Sequence, residues 1–233
     1  MKRRWPVVAV LCLFLVIAVL PKLVVVPSVT RQIRVELQRE FETAEVEVRL
    51  QAPWGWELLF GRLPGLGITM HNAVAEHLNL AKVEVRGEQI RFERSAFWKD
   101  RQLNYEGAQK LESLVTVTEE DLNTYFWQEV DPNRSLHLVI QPTGVSLNGQ
   151  LAFWNTEWDF ALQGLLEIWQ QSNLRFVPQN LEVQATRVPP FLLEVLNENY
   201  DFVLDFSIFP YPITISDVQM EDGQIIVKFG VIP

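Results

Sequence analysis

The chain has 233 residues, of which 48% are hydrophobic and 21% are charged, with a formal net charge of −9. This apolar fraction excludes a disordered or collagen-like chain, because it is enough to bury a large core. Residues 1–27 hold four basic groups and no acid, so residues 28–233 carry 16 basic and 29 acidic groups, a net charge of −13. A body this acidic excludes the broad basic face that nucleic-acid phosphates require.

The N-terminal segment predicts an export signal or a membrane anchor. A Lys-Arg-Arg sequence at residues 2–4 precedes an uncharged stretch over residues 5–20, and apolar residues resume after Lys22. This is a basic start followed by about the length that crosses a hydrocarbon core. The positive-inside rule predicts that the start lies in the cytoplasm and that everything after Pro27 lies outside it.

A two-part organisation follows from this segment. We expect residues 1–27 to be a signal-anchor segment that holds the chain in the cell membrane as a single pass through residues 5–26. Residues 28–233 are then expected to form one extracytoplasmic domain. Secretion after cleavage of the signal stays open as the alternative.

The rest of the chain alternates between helical and strand periodicity. Residues 28–42 predict a helix capped by Ser28 or Thr30, and residues 45–50 predict a half-buried strand because apolar and charged side chains alternate there. Further strands are expected near 67–73, 78–86 and 89–94, while residues 95–114 are ambiguous. Thr118 predicts the cap of a helix that runs to about Glu129.

Strands dominate the second half. They are expected near 136–140, 145–153, 157–168, 173–186 (one long strand or a pair), 213–220 and 223–231, the last two meeting at residues 221–223. Asn148-Gly149 offers an alternative hairpin turn. A short helix is expected from Pro189 to about Asn199, and Phe209 to Pro212 break the chain. The predicted fold is α+β: a large curved antiparallel sheet packed around a few short helices, after an N-terminal transmembrane or signal helix.

The sequence shows no constellation typical of catalysis or metal binding. The single cysteine, Cys12, lies in the apolar N-terminal segment and allows no disulfide framework. His71 and His77 lack the spacing of a zinc site, and with His137 they are expected to be structural or at the surface. The acids at 119–121 are explained by a helix start. We therefore expect a protein that is not an enzyme and that uses no cofactor and no metal.

Aromatic residues are the most unusual feature, with 8 tryptophans and 14 phenylalanines. They fill an ordinary core, or they line a curved sheet whose hollow holds a large apolar ligand such as a lipid chain. Alternation along two neighbouring stripes favours one apolar face. The candidate lipid-binding residues are Val145, Leu147, Leu151, Phe153, Trp158, Phe160, Leu162, Leu166 and Ile168.

The sequence Val-Thr-Glu-Glu-Asp-Leu-Asn at residues 117–123 resembles the helix-opening signature of the LmeA-like phospholipid-binding family of bacterial envelope proteins. The Gly61-Arg62-Leu63 step, the Phe-Pro-Tyr-Pro sequence at 209–212 and the final hairpin around Asp222-Gly223 occur in a similar order. The resemblance covers residues 25–233.

This resemblance implies an exported or membrane-tethered protein that binds phospholipid and serves envelope maintenance. It also implies a fold analogous to tubular lipid-binding proteins, in which a curved antiparallel sheet wraps a helix. No catalytic residue is implied. We therefore expect a membrane-tethered protein that holds or transfers acyl chains, and the alternative is a structural or protein-interaction module of the envelope with an ordinary packed core.

Overall fold

A computed structural model of the chain describes residues 5–43, 45–100, 104–153, 156–183, 186–187, 202–207 and 214–230. The elements in chain order are α1 Trp5–Glu40, β1 Glu45–Gln51, α2 Trp56–Leu59, β2 Arg62–Ala75, β3 Leu78–Phe92, α3 Arg94–Asp100, β4 Tyr105–Gly107, β5 Lys110–Thr118, α4 Glu119–Glu129, β6 Leu136–Gln141, β7 Gly144–Phe153, β8 Thr156–Trp169, β9 Asn173–Val183, β10 Thr186–Arg187, β11 Val203–Asp205, β12 Thr214–Glu221 and β13 Gln224–Gly230. The described chain is mostly antiparallel sheet, including a curled half-barrel sheet, with a few helices.

The chain divides into two compact units. The first unit contains residues up to Met70 together with Glu84–Glu112, and the second contains His71–Val83 together with the chain from Ser113 to Ile232. In the first unit β1, β2 and β3 are neighbours in that order, and β4 pairs with β3. In the second unit the strand order β10-β9-β8-β7-β6 forms one sheet, β11 also pairs with β9, and β12 pairs with β13.

Helix α1 continues where the sequence predicted a break. Pro27 lies inside it, so the prediction of a separate helix capped by Ser28 or Thr30 is wrong. Ser28 Oγ donates to the carbonyl of Val24 at 2.7 Å, and Thr30 Oγ1 donates to that of Val26 at 2.8 Å. A proline removes one N–H from the helix. The two hydroxyls give neighbouring carbonyls a further partner of the kind that serines and threonines inside helices provide.

The first unit buries one face of α1 against β1. Val29 and Ile33 are buried on the helix, and Val46 and Val48 are buried on the strand. The acidic and basic residues of β1 face outward, which confirms the alternation predicted for residues 45–50. Among the residues whose side chains are described, no helix combines the length and the apolar character needed to cross a membrane.

Strand β3 is longer than the sequence indicated. The strands expected at 78–86 and 89–94 are one strand, Leu78–Phe92, which continues through Gln89 at φ of 50°. The ambiguous residues 95–114 contain α3, β4 and the start of β5. Residues 173–186 form a pair of strands, with Val183 opposite Thr186, and Asn148-Gly149 lies inside β7 rather than in a turn. The predicted helix at 189–199 and the break at 209–212 lie outside the described residues.

In the second unit, helix α4 starts as predicted. Thr118 is the N-cap and its hydroxyl accepts from the backbone N–H of Asp121 at 3.2 Å. The acids in the first turn complement the positive end of the helix. The final hairpin also lies where the sequence predicted it, with Gly223 in the turn at φ of 75°.

The side chains of α4 bond to the free edge of β6. The buried side chain of Asn123 donates from Nδ2 to the carbonyl of Leu138 at 2.8 Å and accepts at Oδ1 from its N–H at 2.7 Å. Strand β6 is the last in its sheet, so these backbone groups have no strand partner on that side among the residues that the structure describes. Asn123 therefore takes the place of a neighbouring strand, and buried backbone groups need such a partner.

The same pattern extends one helical turn to each side. Glu119 Oε2 accepts from the N–H of Ile140 at 2.8 Å, and Trp127 Nε1 donates to the carbonyl of Leu136 at 2.7 Å. Asp131 Oδ2 accepts from the N–H of Leu136 at 2.7 Å. Residues four apart on a helix rise about 6 Å, and residues two apart on a strand rise about 6.8 Å. The two spacings stay in register over these positions, which docks α4 along β6.

Asn123→Leu tests this docking. We expect a loss of about 2–5 kcal/mol in the free energy of unfolding, because the buried N–H and carbonyl of Leu138 both lose their partner. Thr124→Ala is the control, since its hydroxyl donates only to the carbonyl of Glu120 on the exposed side of α4. We expect that change to stay within about 0.5 kcal/mol. Equal losses for the two variants, measured by urea unfolding, would contradict the proposed role of Asn123.

Candidate functional site

The structure brings four of the predicted lipid-binding residues together. Strands β7 and β8 pair so that Leu147 lies opposite Leu162 and Val145 lies opposite Gly164. Val145, Leu147, Leu162 and Leu166 are all buried. These side chains form a continuous apolar surface in the interior of the second unit.

The other predicted residues are placed differently. In the backbone register Leu151 lies opposite Trp158, Phe160 opposite Gly149, and Phe153 opposite Thr156. The side chains of Leu151, Phe153, Trp158 and Phe160 lie outside the described part of the chain.

Ile168 is described and is 47% exposed, so it does not join the buried face. Strand β7 begins at Gly144, and Val145 lies opposite Gly164, so beyond this point the described pairing of β8 is with β9. Apolar and polar residues alternate along β8 as far as Ile168, but β7 does not extend that far beside β8.

A small apolar cavity lies against this surface. Its volume is about 10 Å³, and it is lined by Phe126, Leu138, Leu147, Leu162, Phe176, Pro178 and Phe202. A single water needs roughly 10–15 Å³ of such space. The cavity as it stands is therefore far too small for an acyl chain, and its described lining residues are all apolar.

Gly164 allows the aromatic wall of the cavity to approach the sheet. A Cβ at this position would lie 2.7 Å from the ring of Phe176 and 2.5 Å from the carbonyl oxygen of Val177. Such distances are well inside van der Waals contact, so a larger residue would push Phe176 away. The alternation of apolar and polar residues did not predict this close approach of Phe176, because it counts Gly164 as an apolar position without regard to its size.

Phe202 closes the cavity from the side of α4. Its ring packs edge-on against Phe126 with centroids 5.6 Å apart, and its centroid lies 6.1 Å from that of Tyr125. Sequence reasoning missed Phe126 and Phe202 as lining residues. The helical spacing of Leu122 and Phe126, both buried, was the available signal for the first.

Tyr125 is the titratable group beside this aromatic cluster. Burial raises the pKa of the Tyr125 hydroxyl above its ordinary value of 10.0, and the negative charges of Glu129, Glu76 and Asp205 raise it further. Both effects disfavour tyrosinate. The hydroxyl therefore stays neutral over the physiological range and can donate a hydrogen bond, but it does not act as a base.

The described residues do not assemble a metal site. No group of three or more His, Cys, Asp or Glu side chains among them is placed to hold an ion. His77 Nδ1 lies 2.7 Å from Glu129 Oε1 at an exposed position, which is an ordinary surface pair. The surface formed by Val145, Leu147, Leu162 and Leu166 is apolar and suits the burial of hydrocarbon.

The raised pKa of Tyr125 predicts a pH dependence of stability. A group whose folded pKa is raised contributes stability below its ordinary pKa, and this contribution is lost as pH rises through the folded value. We expect Tyr125→Phe to lower the sensitivity of the free energy of unfolding to pH above about 10. Tyr105→Phe in the first unit serves as the control. Unfolding at a series of alkaline pH values is the measurement, and parallel curves for wild type and Tyr125→Phe would contradict the prediction.

Comparison with known proteins identifies a family that matches this chain. Residues 22–229 match the family described as LmeA-like phospholipid-binding, which is nearly the whole chain. No curated protein and no solved structure matches the chain. The apolar interior of the second unit agrees in chemistry with the ligand that the family's description names, and the chain belongs to the LmeA-like phospholipid-binding family.

Proposed function

We propose that this protein is a membrane-tethered phospholipid-binding protein that holds or transfers lipid acyl chains outside the cytoplasm, in maintenance of the cell envelope. It acts as a carrier and catalyses no reaction. The acyl chain is accommodated by the apolar interior of the second unit, where β7 and β8 meet the aromatic wall of Phe126, Phe176 and Phe202. The observation that carries the proposal is this wholly apolar cavity in a chain of a phospholipid-binding family.

An acyl chain requires the cavity to widen. Phe202 is the wall residue contributed by the segment that leads into β11, while the other aromatic walls belong to α4 and β9. In this proposal the Phe202 ring moves outward and the chain takes its place against Leu147 and Leu162. The exchange is close to balanced, because each CH₂ is worth about 0.8 kcal/mol against water but is buried in the bilayer as well.

A cluster of exposed apolar side chains in the first unit supports attachment to the membrane. The cluster consists of Leu20, Leu23, Val24, Trp54, Trp56 and Phe60. Trp54 and Phe60 are 60% and 64% exposed. Monomeric soluble surfaces rarely group large apolar residues in this way, and tryptophan is enriched at the level of lipid headgroups.

Local contacts hold the cluster on α1. Trp56 Nε1 donates to the carbonyl of Ala18 at 3.1 Å. Gly55 has φ of 79°, and a Cβ there would lie 2.6 Å from the backbone N of Lys22. Only glycine allows so close an approach with this backbone conformation. The segment from Trp54 to Phe60, called the aromatic loop below, thus lies beside α1, whose N-terminal part is the uncharged stretch over residues 5–20.

The lipid cavity is tested by comparing Phe202→Ala with Phe206→Ala. Both phenylalanines are buried, but Phe206 packs on Phe229, with centroids 5.3 Å apart, and does not line the cavity. We expect each variant to lose about 3–5 kcal/mol without lipid. Added phospholipid should restore part of the loss only in Phe202→Ala, because lipid fills the widened cavity.

Thermal unfolding of the full chain in detergent, with and without phospholipid, measures this difference. Mass spectrometry of the lipids that co-purify with each variant gives an independent readout. If neither variant binds lipid and both lose stability equally, the interior is an ordinary packed core. That outcome would favour the alternative function, a structural or protein-interaction module. A packed core of that kind would leave only a small cavity.

Membrane seating of the aromatic loop is tested by fluorescence quenching. We expect Trp54→Phe to reduce the quenching of the full chain by phosphatidylcholine vesicles with brominated acyl chains, because Trp54 lies at the lipid surface in this proposal. Trp169→Phe is the matched control, since Trp169 is an exposed tryptophan of the second unit. Equal quenching of wild type and Trp54→Phe would rule out contact of this loop with lipid.

A further inference from the structure

An open cavity in the first unit is lined by polar and charged side chains, unlike the apolar cavity of the second unit. Its volume is about 450 Å³, within the range of roughly 300–1,000 Å³ that is common for ligand pockets. Arg62, Gln89, Ile90, Arg91, Ala108 and Gln109 line it. Ile90 is buried, while the two arginines and two glutamines are exposed. The cavity thus has an apolar base and four long polar side chains.

Backbone contacts bring the two arginines to this cavity. The N–H of Phe92 donates to the carbonyl of Gly61 at 3.0 Å, which joins the residue before Arg62 to the residue after Arg91. Gly61 has φ of 72°, and a Cβ there would lie 2.6 Å from the carbonyl oxygen of Phe92. This explains why the Gly-Arg-Leu step begins with glycine: only glycine lets β2 start this close to the end of β3.

Arg91 also depends on a glycine across the sheet. It pairs with Gly107 of β4, and a Cβ on Gly107 would lie 3.2 Å from Arg91 Nη2. The N–H of Gln109 donates to the carbonyl of Glu88 at 3.1 Å, which fixes the next segment beside β3. Three chain segments are therefore tied together around the cavity.

The charges around the cavity are not balanced. Among the described residues neither Arg62 nor Arg91 forms an ion pair, and no carboxylate lines the cavity. Glu93 is near in sequence, but its carboxylate accepts from Ser95 Oγ and from Asn104 Nδ2, and the Ser95 bond followed by the Asn104 bond lowers the pKa of Glu93. Two arginines that line one cavity without forming an ion pair to a described residue are unusual in a body, residues 28–233, with a net charge of −13.

We propose that this cavity binds the phosphate group of a phospholipid through the guanidiniums of Arg62 and Arg91. A guanidinium offers N–H donors in a planar fork that matches phosphate oxygens, and it offers no acceptor. The side-chain amides of Gln89 and Gln109 add donors at the rim. The inference rests on the proposed function for its lipid source and adds the chemical group of the lipid that the first unit recognises.

The test uses the full chain in a non-ionic detergent and three probes. They are dioctanoyl phosphatidylglycerol, dioctanoylglycerol, which has no phosphate, and inorganic phosphate. Calorimetric titration measures the dissociation constant of each. We expect phosphatidylglycerol to bind at least roughly tenfold more tightly than dioctanoylglycerol, because only the first makes charge-assisted hydrogen bonds.

Substitutions assign this preference to the cavity. The double change Arg62→Gln and Arg91→Gln should abolish the preference for phosphatidylglycerol. Arg91→Lys alone should keep only part of the preference, since lysine keeps the positive charge but lacks the planar fork of donors. Arg86→Gln is the control: it removes one positive charge from an exposed position of the same strand, outside the cavity. Because all three arginines are exposed, unfolding temperatures should not change.

Each other result rejects a defined part of the inference. If both lipids bind equally and the arginine variants change nothing, the cavity is not a phosphate site, while the proposed lipid binding stands. If inorganic phosphate binds as tightly as phosphatidylglycerol and depends on the arginines, the ligand is a soluble phosphate and not a lipid. If none of the probes binds, both the proposed function and the phosphate site are wrong.

Discussion

The second unit depends on the satisfaction of one exposed strand edge. Strand β6 is the last described strand of its sheet, and the outward N–H and carbonyl of Leu138 are paired by the side chain of Asn123 on α4. Asn123 is suited to this place because an amide side chain offers a donor and an acceptor in the same plane, as a peptide group does. The helix is therefore held at one register along the strand, and Phe126 is placed over the apolar interior.

This arrangement separates two physical demands on the same helix. One row of α4 side chains makes directional bonds to backbone groups, and these bonds allow little displacement. The adjacent row, with Leu122 and Phe126, makes apolar contacts that carry no directional requirement. A cavity beside such a wall can change in volume without breaking a hydrogen bond of the α4–β6 docking. That property is what a carrier of flexible hydrocarbon needs.

Local features were predictable from the sequence, while features with distant partners were not. The Thr118 cap, the alternation of β1 and the final hairpin arise from residues close in sequence, and the structure has them where the sequence indicated. The bonds of Asn123 to Leu138 join residues fifteen apart, and no periodicity reveals them. The helix predicted to begin at Ser28 or Thr30 instead continues from α1 through Pro27, and the hydroxyls of those two residues donate to carbonyls of the preceding turn.

The candidate site shows the same division. Alternation correctly grouped Val145, Leu147, Leu162 and Leu166, since side chains two apart on a strand share a face. It also included Ile168, because alternation does not state where the neighbouring strand stops. The arginine cavity could not be recognised as a cluster, because Arg62 and Arg91 are far apart in sequence and come together only through the pairing of β2 with β3 and the Gly61–Phe92 backbone bond.

Affinity and selectivity for a lipid have different physical sources. The apolar interior contributes hydrocarbon burial, and the arginine-lined cavity offers charged donors. Hydrocarbon that leaves a bilayer for a protein interior exchanges one apolar environment for another, so this transfer contributes little net affinity and little selectivity among lipids. Selectivity must then come from groups that interact differently with one headgroup than with another. Guanidiniums offer a planar fork of donors to phosphate oxygens, and they favour a charged lipid over a neutral one. An apolar interior that tolerates many chains therefore leaves the choice of lipid class to contacts with the headgroup, which in our proposal are made by the guanidiniums of Arg62 and Arg91.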